Sequence, residues 1–391
     1  MELTVLLGVL TAFVVALAVT ALIHPRVVKF AQKRNIVDNP NARKLQRDPV
    51  PVMGGVAVFF GLVSGLCVSG IFFNINELLP VLIAMSVMLC VGVVDDVSEL
   101  SPWLRFVIEI AVVLMLIFTT DLSLNSLQGL WGFYDLPLWF SVLLTVFAVV
   151  GMINAINLID GVDGLSSGFC MVASIAFGAL FAMVNKPLML LLAAITVGAL
   201  MPFFFHNVFG KKSKMFIGDG GSLMMGVVMS TYVVSIISVR NEAYDAMPNG
   251  MGLVAFTMAI MAVPVFDTLR VMAMRILRRI SPFHPDKTHL HHLFIDLGFS
   301  HIATTLSVLN LNVLVMLSWW IAYMAGASVD VQFYVVIAMS VLVTAVFYKV
   351  MRMQMARNGV LARAMRNIAG RTHYQERNSW QALQRVIDKR G

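Results

Sequence analysis

Apolar residues come in long blocks along almost the whole chain, and the polar residues fall into the short breaks between them. Eleven blocks can be delimited, at roughly 3–23, 53–73, 77–94, 103–120, 137–157, 165–184, 188–205, 222–239, 249–269, 303–325 and 331–350. Each is close to the ~20 residues that a helix needs to cross a hydrocarbon core of about 30 Å. Inside lipid a helix satisfies its own backbone, which open strands and loops cannot do. The pattern therefore predicts an all-α fold, a polytopic integral membrane helical bundle of about eleven transmembrane helices.

The breaks are not equivalent. With the N-terminus outside, the inner loops and span ends at 24–52, 95–106, 206–220, 270–302 and 349–391 hold every Lys and Arg of the 28 except Lys186 and Arg240. The bias of basic residues toward the cytoplasm then places the C-terminus inside. Residues 1–23 lack a basic leading segment and read as a retained first span, not a cleaved signal. Residues 1–350 form the expected membrane domain. The tail at 351–391 alternates apolar and basic residues, as a helix lying on anionic headgroups does.

Composition narrows the function classes. The chain is 59% hydrophobic and 13% charged, with a net charge of +7. No basic domain stands apart from the spans, so the charge belongs to a cytoplasmic membrane face and nucleic acid is excluded as a partner. Cys67, Cys90 and Cys170 lie in apolar segments without paired spacing, which predicts neither a disulfide framework nor a zinc site.

Five polar strings remain: "VDNPNARKLQRDPVPVMGG" (37–55), "VVDDVSEL" (93–100), "NAINLIDGVDGL" (154–165), "FIGDGGS" (216–222) and "PFHPDKTHLHHL" (282–293). In the predicted topology all five are cytoplasmic, at span ends or in inner loops. Carboxylates at membrane depth are costly, roughly 2.5–3.5 kcal/mol at the bilayer centre and less near the interface. The adjacent acids Asp95 and Asp96 would be relieved by a divalent cation or basic partners; alternatively they cap nearby helices. In "FIGDGGS", Asp219 stands among glycines that let a backbone approach a ligand. The helix that follows offers free N–H groups suited to phosphate, and an acid there suits Mg²⁺ shared with substrate oxygens; an ordinary N-cap region is the simpler alternative. His289, His291 and His292, preceded by Arg275, Arg278, Arg279 and Lys287, read as a cationic clamp for a diphosphate rather than a zinc site, which would need further ligands. Asp267 and Asp286 would orient this group or pair with its arginines. Asn154 and Asn157 share a face on the last turns of the fifth span. Gly161 and Gly164 should end that helix and wrap Asp160 and Asp163 around its tip.

Together, "DNPNARK", the Asp95–Asp96 pair with Arg105 nine residues on, "NAINLIDGVDGL", "FIGDGGS" and "SPFHPDKTHLHH" resemble the polyprenyl-phosphate N-acetylhexosamine-1-phosphate transferase family in motif order and span count over residues 1–350. The string "HLHHL" is similar to the branch that uses N-acetylglucosamine; the branch acting on UDP-MurNAc-pentapeptide usually has three consecutive histidines. Two positions depart from the family: Gln46 stands where relatives often have His, and Glu109 where they often have Gln. The resemblance implies transfer of a sugar 1-phosphate from a UDP-N-acetylhexosamine to undecaprenyl phosphate. The setting would be the cytoplasmic face of a bacterial inner membrane, with Mg²⁺ as cofactor, Mn²⁺ as an alternative ion, and a homodimer as an assembly open to the chain.

The resemblance also implies site roles. Asp219, Asn157 and Asp96 would hold the metal, and Asp95, Asp96, Asp219 and His289 would be catalytic. Asn154, Asn157, Asp160, Asp163, Phe216, Arg275, His291 and His292 would bind the nucleotide sugar, with Phe216 stacking on uracil. Arg43, Lys44 and Arg105 would face the lipid phosphate. An ion-coupled transporter, the reading from another class, would place its ionisable residues near mid-span, whereas these acids line one face.

Overall fold

A computed structural model describes residues 3–38, 49–120, 122–238, 250–282, 286–373 and 378–388. Its helices are α1 (Leu3–Lys33), α2 (Gly54–Ser69), α3 (Leu79–Ser98), α4 (Pro102–Thr120), α5 (Leu138–Leu158), α6 (Leu165–Met183), α7 (Pro187–Phe209), α8 (Gly218–Ile237), α9 (Leu253–Ile260), α10 (Ala262–Leu277), α11 (Leu290–Asp296), α12 (His301–Met324), α13 (Val329–Val341), α14 (Phe347–Ala356), α15 (Val360–Ala369) and α16 (Asn378–Asp388). Among the described residues, nine helical stretches are long and apolar enough to cross a membrane. The fold is an all-α, multi-pass membrane protein.

Two expected spans differ from the rest. The α2 helix has 16 residues, about 24 Å of helix, short of a ~30 Å core. The block 249–269 is not one helix: α9 and α10 meet at a 76° bend. Pro264, in the first turn of α10, has no N–H to leave unpaired there. A tenth span thus exists only as this broken pair. At the other end, the last span runs through a π-helical turn at Leu342–Val346 as far as Ala356, so the helix does not stop at 350.

The chain divides into two compact units, Met1–Asn157 with Ser166–Asn249 and Gln384–Gly391, and Leu158–Leu165 with Gly250–Leu383. In the first unit α8 is the hub, and every residue in it but Asp219 is buried. Glycines make this burial feasible. A Cβ on Gly92 would overlap the backbone of Asp219 and Gly220, one on Gly55 the backbone of Gly221, and one on Gly226 the backbone of Ile153. Small residues at helix crossings let backbones approach within lipid. The polar side chains of α8 bond internally: Ser230 and Thr231 donate to Gly226 O and Val227 O. Tyr232, fully buried, shares a hydrogen bond with Thr196 of α7.

A short antiparallel ladder, β1 (Val37–Asp38) with β2 (Val50–Pro51), leads into α2. The ladder and the start of α2 fasten the approach to α8: Phe216 N donates to Pro51 O at 2.8 Å, and Gly54 N and Gly55 N donate to Phe216 O and Ile217 O. Lys186 donates to Ser235 O in the last turn of α8. Its charge there meets the negative end of the helix dipole.

In the second unit, Asn312 of α12 repairs the break between α9 and α10. Its Oδ1 accepts from Val263 N and its Nδ2 donates to Ile260 O, both at 2.9 Å. Buried Gln332 of α13 is likewise satisfied, accepting from Gly252 N and Trp319 Nε1 and donating to Gly250 O and Ala327 O.

Candidate active site

In the first unit the ends of α3, α4, α5 and α8 bring six of the expected residues together. Asp95 and Asp96 lie in the last turn of α3. Asp95 Oδ1 accepts from Leu100 N at 2.7 Å, and Oδ2 pairs with Arg105 Nη1 at 3.1 Å. Arg105 Nη1 also lies 3.9 Å from Asp219 Oδ2, Nη2 donates to Asn154 Oδ1 at 3.4 Å, and Nε is 3.5 Å from Glu109 Oε1. Asn157 donates to Asp219 Oδ1 at 2.8 Å and to Ser222 Oγ at 2.9 Å. The phase works because Asn154 and Asn157 stand one turn apart on α5, as their spacing predicts.

"FIGDGGS" is used differently from the expected phosphate cradle. Asp96 already takes the first free N–H groups of α8, accepting from Asp219 N at 3.2 Å and Gly220 N at 3.5 Å. The helix-capping alternative for the acid pair is therefore realised in Asp96, a carboxylate at the positive end of a helix. Gly218 has a positive φ of 74°, and a Cβ there would approach Asp96 Oδ2 at 2.5 Å. The remaining glycines admit the α2 and α3 backbones, so their room is taken by protein.

Three carboxylates (Asp95, Glu109 and Asp219) lie within 4 Å of the Arg105 guanidinium and a fourth, Asp96, caps the helix that carries Asp219, leaving an excess of negative charge wherever they are ionised. Among the described residues no three His, Cys, Asp or Glu side chains form a ready metal cage. Hard oxygen donors in this number match Mg²⁺, which is bound by one or two carboxylates plus substrate phosphates and does not need an all-protein cage. The residues present fit such an ion.

Phe216 is half-buried beside the ladder, with Lys214 Nζ 5.8 Å from its ring centroid. Arg43 and Lys44 lie outside the described residues.

The second unit holds the other group. The α5 helix ends at Leu158, and a turn carries Asp160 and Asp163 to Gly164 (φ 75°) and the start of α6. His301 Nδ1 pairs with Asp163 Oδ2 at 2.7 Å, and Thr305 donates to Asp163 O. A Cβ on Gly161 would collide with the His291 ring, so the glycine lets this turn and α11 close.

His289 is buried and pairs through Nδ1 with Asp267 Oδ2 at 2.9 Å, while Nε2 has no hydrogen-bond partner among the described residues. Asp267, itself buried, also accepts from Arg270 at 2.7 Å and from Leu290 N. A carboxylate on Nδ1 fixes the ring and, in the neutral form, leaves Nε2 as the acceptor.

Arg275 is buried and committed. It pairs with Asp286 at 3.0 Å through both Nε and Nη2 and donates to Pro282 O at 2.6 Å. Burial alone would raise the Asp286 pKa, but the Arg275 and Thr288 bonds outweigh it and hold that carboxyl below its ordinary value. Burial, then the neighbouring His292 and His289, push His291 well below the ordinary imidazole value. His292 is lowered to about 4, by burial and then by His289. Both shifts favour the uncharged ring, against the cationic reading of these two histidines.

Sequence reasoning missed Arg270, His301, Ser222 and Thr288 as parts of these groups. Arg270 carried a signal, since it stands three residues after Asp267 on one helical face. The others carried none, because single hydroxyls and a lone histidine at a helix start are common.

A profile described as Glycosyl transferase family 4 matches residues 78–237. A probable undecaprenyl-phosphate N-acetylglucosaminyl 1-phosphate transferase of Bacillus subtilis (strain 168) is 30% identical over 305 residues, covering 78% of this chain and 82% of the relative. The undecaprenyl-phosphate alpha-N-acetylglucosaminyl 1-phosphate transferase of Escherichia coli (strain K12) is 30% identical over 279 residues, 70% and 72% of the two chains. The enzyme of the same name from Salmonella typhi is 28% identical over 275 residues, again 70% and 72%.

Proposed function

This chain belongs to glycosyl transferase family 4, alongside the undecaprenyl-phosphate N-acetylglucosaminyl 1-phosphate transferases, and on that premise we propose that it transfers N-acetylglucosamine 1-phosphate from UDP-N-acetylglucosamine to undecaprenyl phosphate. The reaction would occur at the cytoplasmic face of a bacterial inner membrane. An oxygen of the lipid phosphate attacks the phosphorus that carries the sugar, the phosphoanhydride bond breaks, and UMP leaves with its electron pair. One anhydride replaces another, so the protein's work is positioning and charge neutralisation.

The observation that carries this reading is the Asp95–Arg105–Asp219–Asn157 network at the end of apolar helices. Asp219, Asn157 and Asp96 are the residues that would hold Mg²⁺, which when bound supplies positive charge for the diphosphate. Asn157 orients the Asp219 carboxylate, and Asp96 fixes the start of α8 on which Asp219 stands. Arg105, with Arg43 and Lys44, serves the lipid phosphate. That phosphate, with a second pKa near 6, is mostly dianionic at pH 7. A base is therefore scarcely needed, and Asp95, with both oxygens engaged, acts to organise Arg105.

Asn154, Asp160, Asp163 and Phe216 are assigned to the uridine and sugar. His289 and His291 are assigned to the diphosphate through neutral or hydrogen-bonding nitrogens, and His292 belongs with them. Arg275 acts through the loop it holds. The test is UMP release by purified protein with undecaprenyl phosphate and a panel of UDP-sugars, with and without Mg²⁺. UDP-N-acetylglucosamine should support Mg²⁺-dependent release; UDP-MurNAc-pentapeptide should not.

A further inference from the structure

Glu109 is a fully buried carboxylate inside the membrane helix α4, and no role has yet been assigned to it. Burying a carboxylate is costly unless it is paired and hydrogen-bonded, so its partners indicate its role. Its Oε2 accepts from Asn154 Nδ2, and its Oε1 lies 3.5 Å from Arg105 Nε, one helical turn away.

The second proton of the Asn154 amide goes to Val150 O at 3.0 Å. Both amide protons are thereby committed, and Asn154 must turn Oδ1 toward Arg105 Nη2. Along one edge Arg105 donates to Asn154 Oδ1 through Nη2 and faces the Glu109 charge through Nε, where Oε1 makes no hydrogen bond among the described residues. Its Nη1 is left directed at Asp95 and Asp219, 3.1 and 3.9 Å away.

We propose that Glu109 is a positioning residue for the transfer reaction: it sets the plane of the Arg105 guanidinium, and the face of the Asn154 amide, that meet the Asp95–Asp219 pair. It touches no substrate and acts through Arg105. The inference rests on the transferase reading above. A guanidinium offers five donors in a rigid fork, so a bond at Nη2 and a charge facing Nε together orient Nη1. Without the Glu109 edge, Arg105 keeps its charge and loses its direction.

The experiment compares Glu109→Leu, Glu109→Gln and Arg105→Ala with the double variant Glu109→Leu/Arg105→Ala, measuring kcat and KM for both substrates and the melting temperature in detergent. Leucine leaves Arg105 and the Asn154 amide without their Glu109 partner, so Glu109→Leu should melt several degrees below wild type while Glu109→Gln melts near it. Glu109→Leu should lower kcat on the order of 10- to 100-fold, the scale of a small misplacement at a reacting centre. Its KM for the UDP-sugar should rise by no more than the KM of Asn154→Ala does, since Glu109 meets the sugar site only through that amide. Glu109→Gln, whose oxygen still accepts from Asn154, should restore most of the loss.

In the Arg105→Ala background the leucine should cost nothing further, because the group it acts through is gone. An undiminished loss in that background would overturn the positioning role and leave a structural one. Should Glu109→Leu not fold, Glu109→Met must show the same dependence on Arg105, and an independent loss would overturn the proposal equally. A wild-type protein inactive with every UDP-sugar would instead overturn the transferase reading itself.

Discussion

Asn157 holds Asp219 in place: its side-chain amide donates to Asp219 Oδ1 at 2.8 Å and to Ser222 Oγ at 2.9 Å, joining α5 to the first turn of α8. The amide commits its protons to these two acceptors and leaves its oxygen available. Replacing Asn157 with Ala should lower kcat/KM by roughly 10- to 100-fold, the effect expected when a group is left free to misplace a reacting centre. The Mg²⁺ concentration for half-maximal rate should rise. A Mg²⁺ titration of initial rates checks this, and an unchanged half-maximal concentration would remove Asn157 from the metal group.

Asp96 has two separable duties. As the acceptor for Asp219 N and Gly220 N it caps α8, and loss of such a cap costs about 1 kcal/mol. Asp96→Asn keeps an acceptor for the helix but drops the charge. It should therefore melt within a degree or two of wild type while losing most activity, whereas Asp96→Ala should lose both. Melting curves set beside turnover separate the two.

Stability should depend on pH through His292. Its pKa is lowered to about 4 from an ordinary 6.5, by burial first and by His289 second. Between those values the unfolded chain binds the proton that the folded one refuses, so stability rises with pH. The contribution is complete above about 6.5 and is lost as pH falls toward 4. Asp286, held below its ordinary 3.8, adds a further loss at lower pH. Unfolding midpoints measured from pH 4 to 7 should fall with acidity, and His292→Gln should flatten that slope between 6.5 and 4.

The C-terminal helix reaches the loop before α8 through Asp388, which accepts from Lys211 N, Lys212 N and Ser213 N and from Ser213 Oγ at 2.9 Å. Burial opposes its ionisation, but the Ser213 hydroxyl and these N–H groups hold its pKa below the ordinary value, so the contact is intact at neutral pH. Asp388→Ala should loosen the loop by about 1 kcal/mol, which speeds trypsin cleavage after Lys211 and Lys212 about five-fold. Equal cleavage rates would mean the loop is held elsewhere.

Asn312 supplies the two bonds that the α9–α10 bend leaves open. Asn312→Leu strands a buried N–H and a buried C=O, each costing roughly 1–3 kcal/mol, and should lower the melting temperature by several degrees. Asn312→Asp, which keeps only the acceptor, should fall between.

Much of this was legible because polar residues are conspicuous in an apolar chain. Asp95, Asp96, Arg105, Asn154, Asn157 and Asp219 stood out and do meet. What was misread was the use of glycine. The glycines of "FIGDGGS" have the same freedom whether a ligand or a neighbouring helix fills the space, and only the packing of Gly55 and Gly92 against α8 decides. The break in the block 249–269 was hidden for a related reason. Both halves are apolar, and the residue that stabilises the bend, Asn312, lies about fifty positions away on another helix. For Arg275 the sequence left two uses of Asp286 open, orienting the group or pairing with an arginine, and the structure shows the pair.

The central claim is that sugar and phosphate move together. UDP-N-acetylglucosamine carrying tritium in the sugar and ³²P in the phosphate beside it should be incubated with the purified protein, undecaprenyl phosphate and Mg²⁺. Both labels should enter the organic-extractable lipid in equal amounts, with unlabelled UMP left in the aqueous phase. Tritium in the lipid without ³²P, or neither label transferred, would contradict the account.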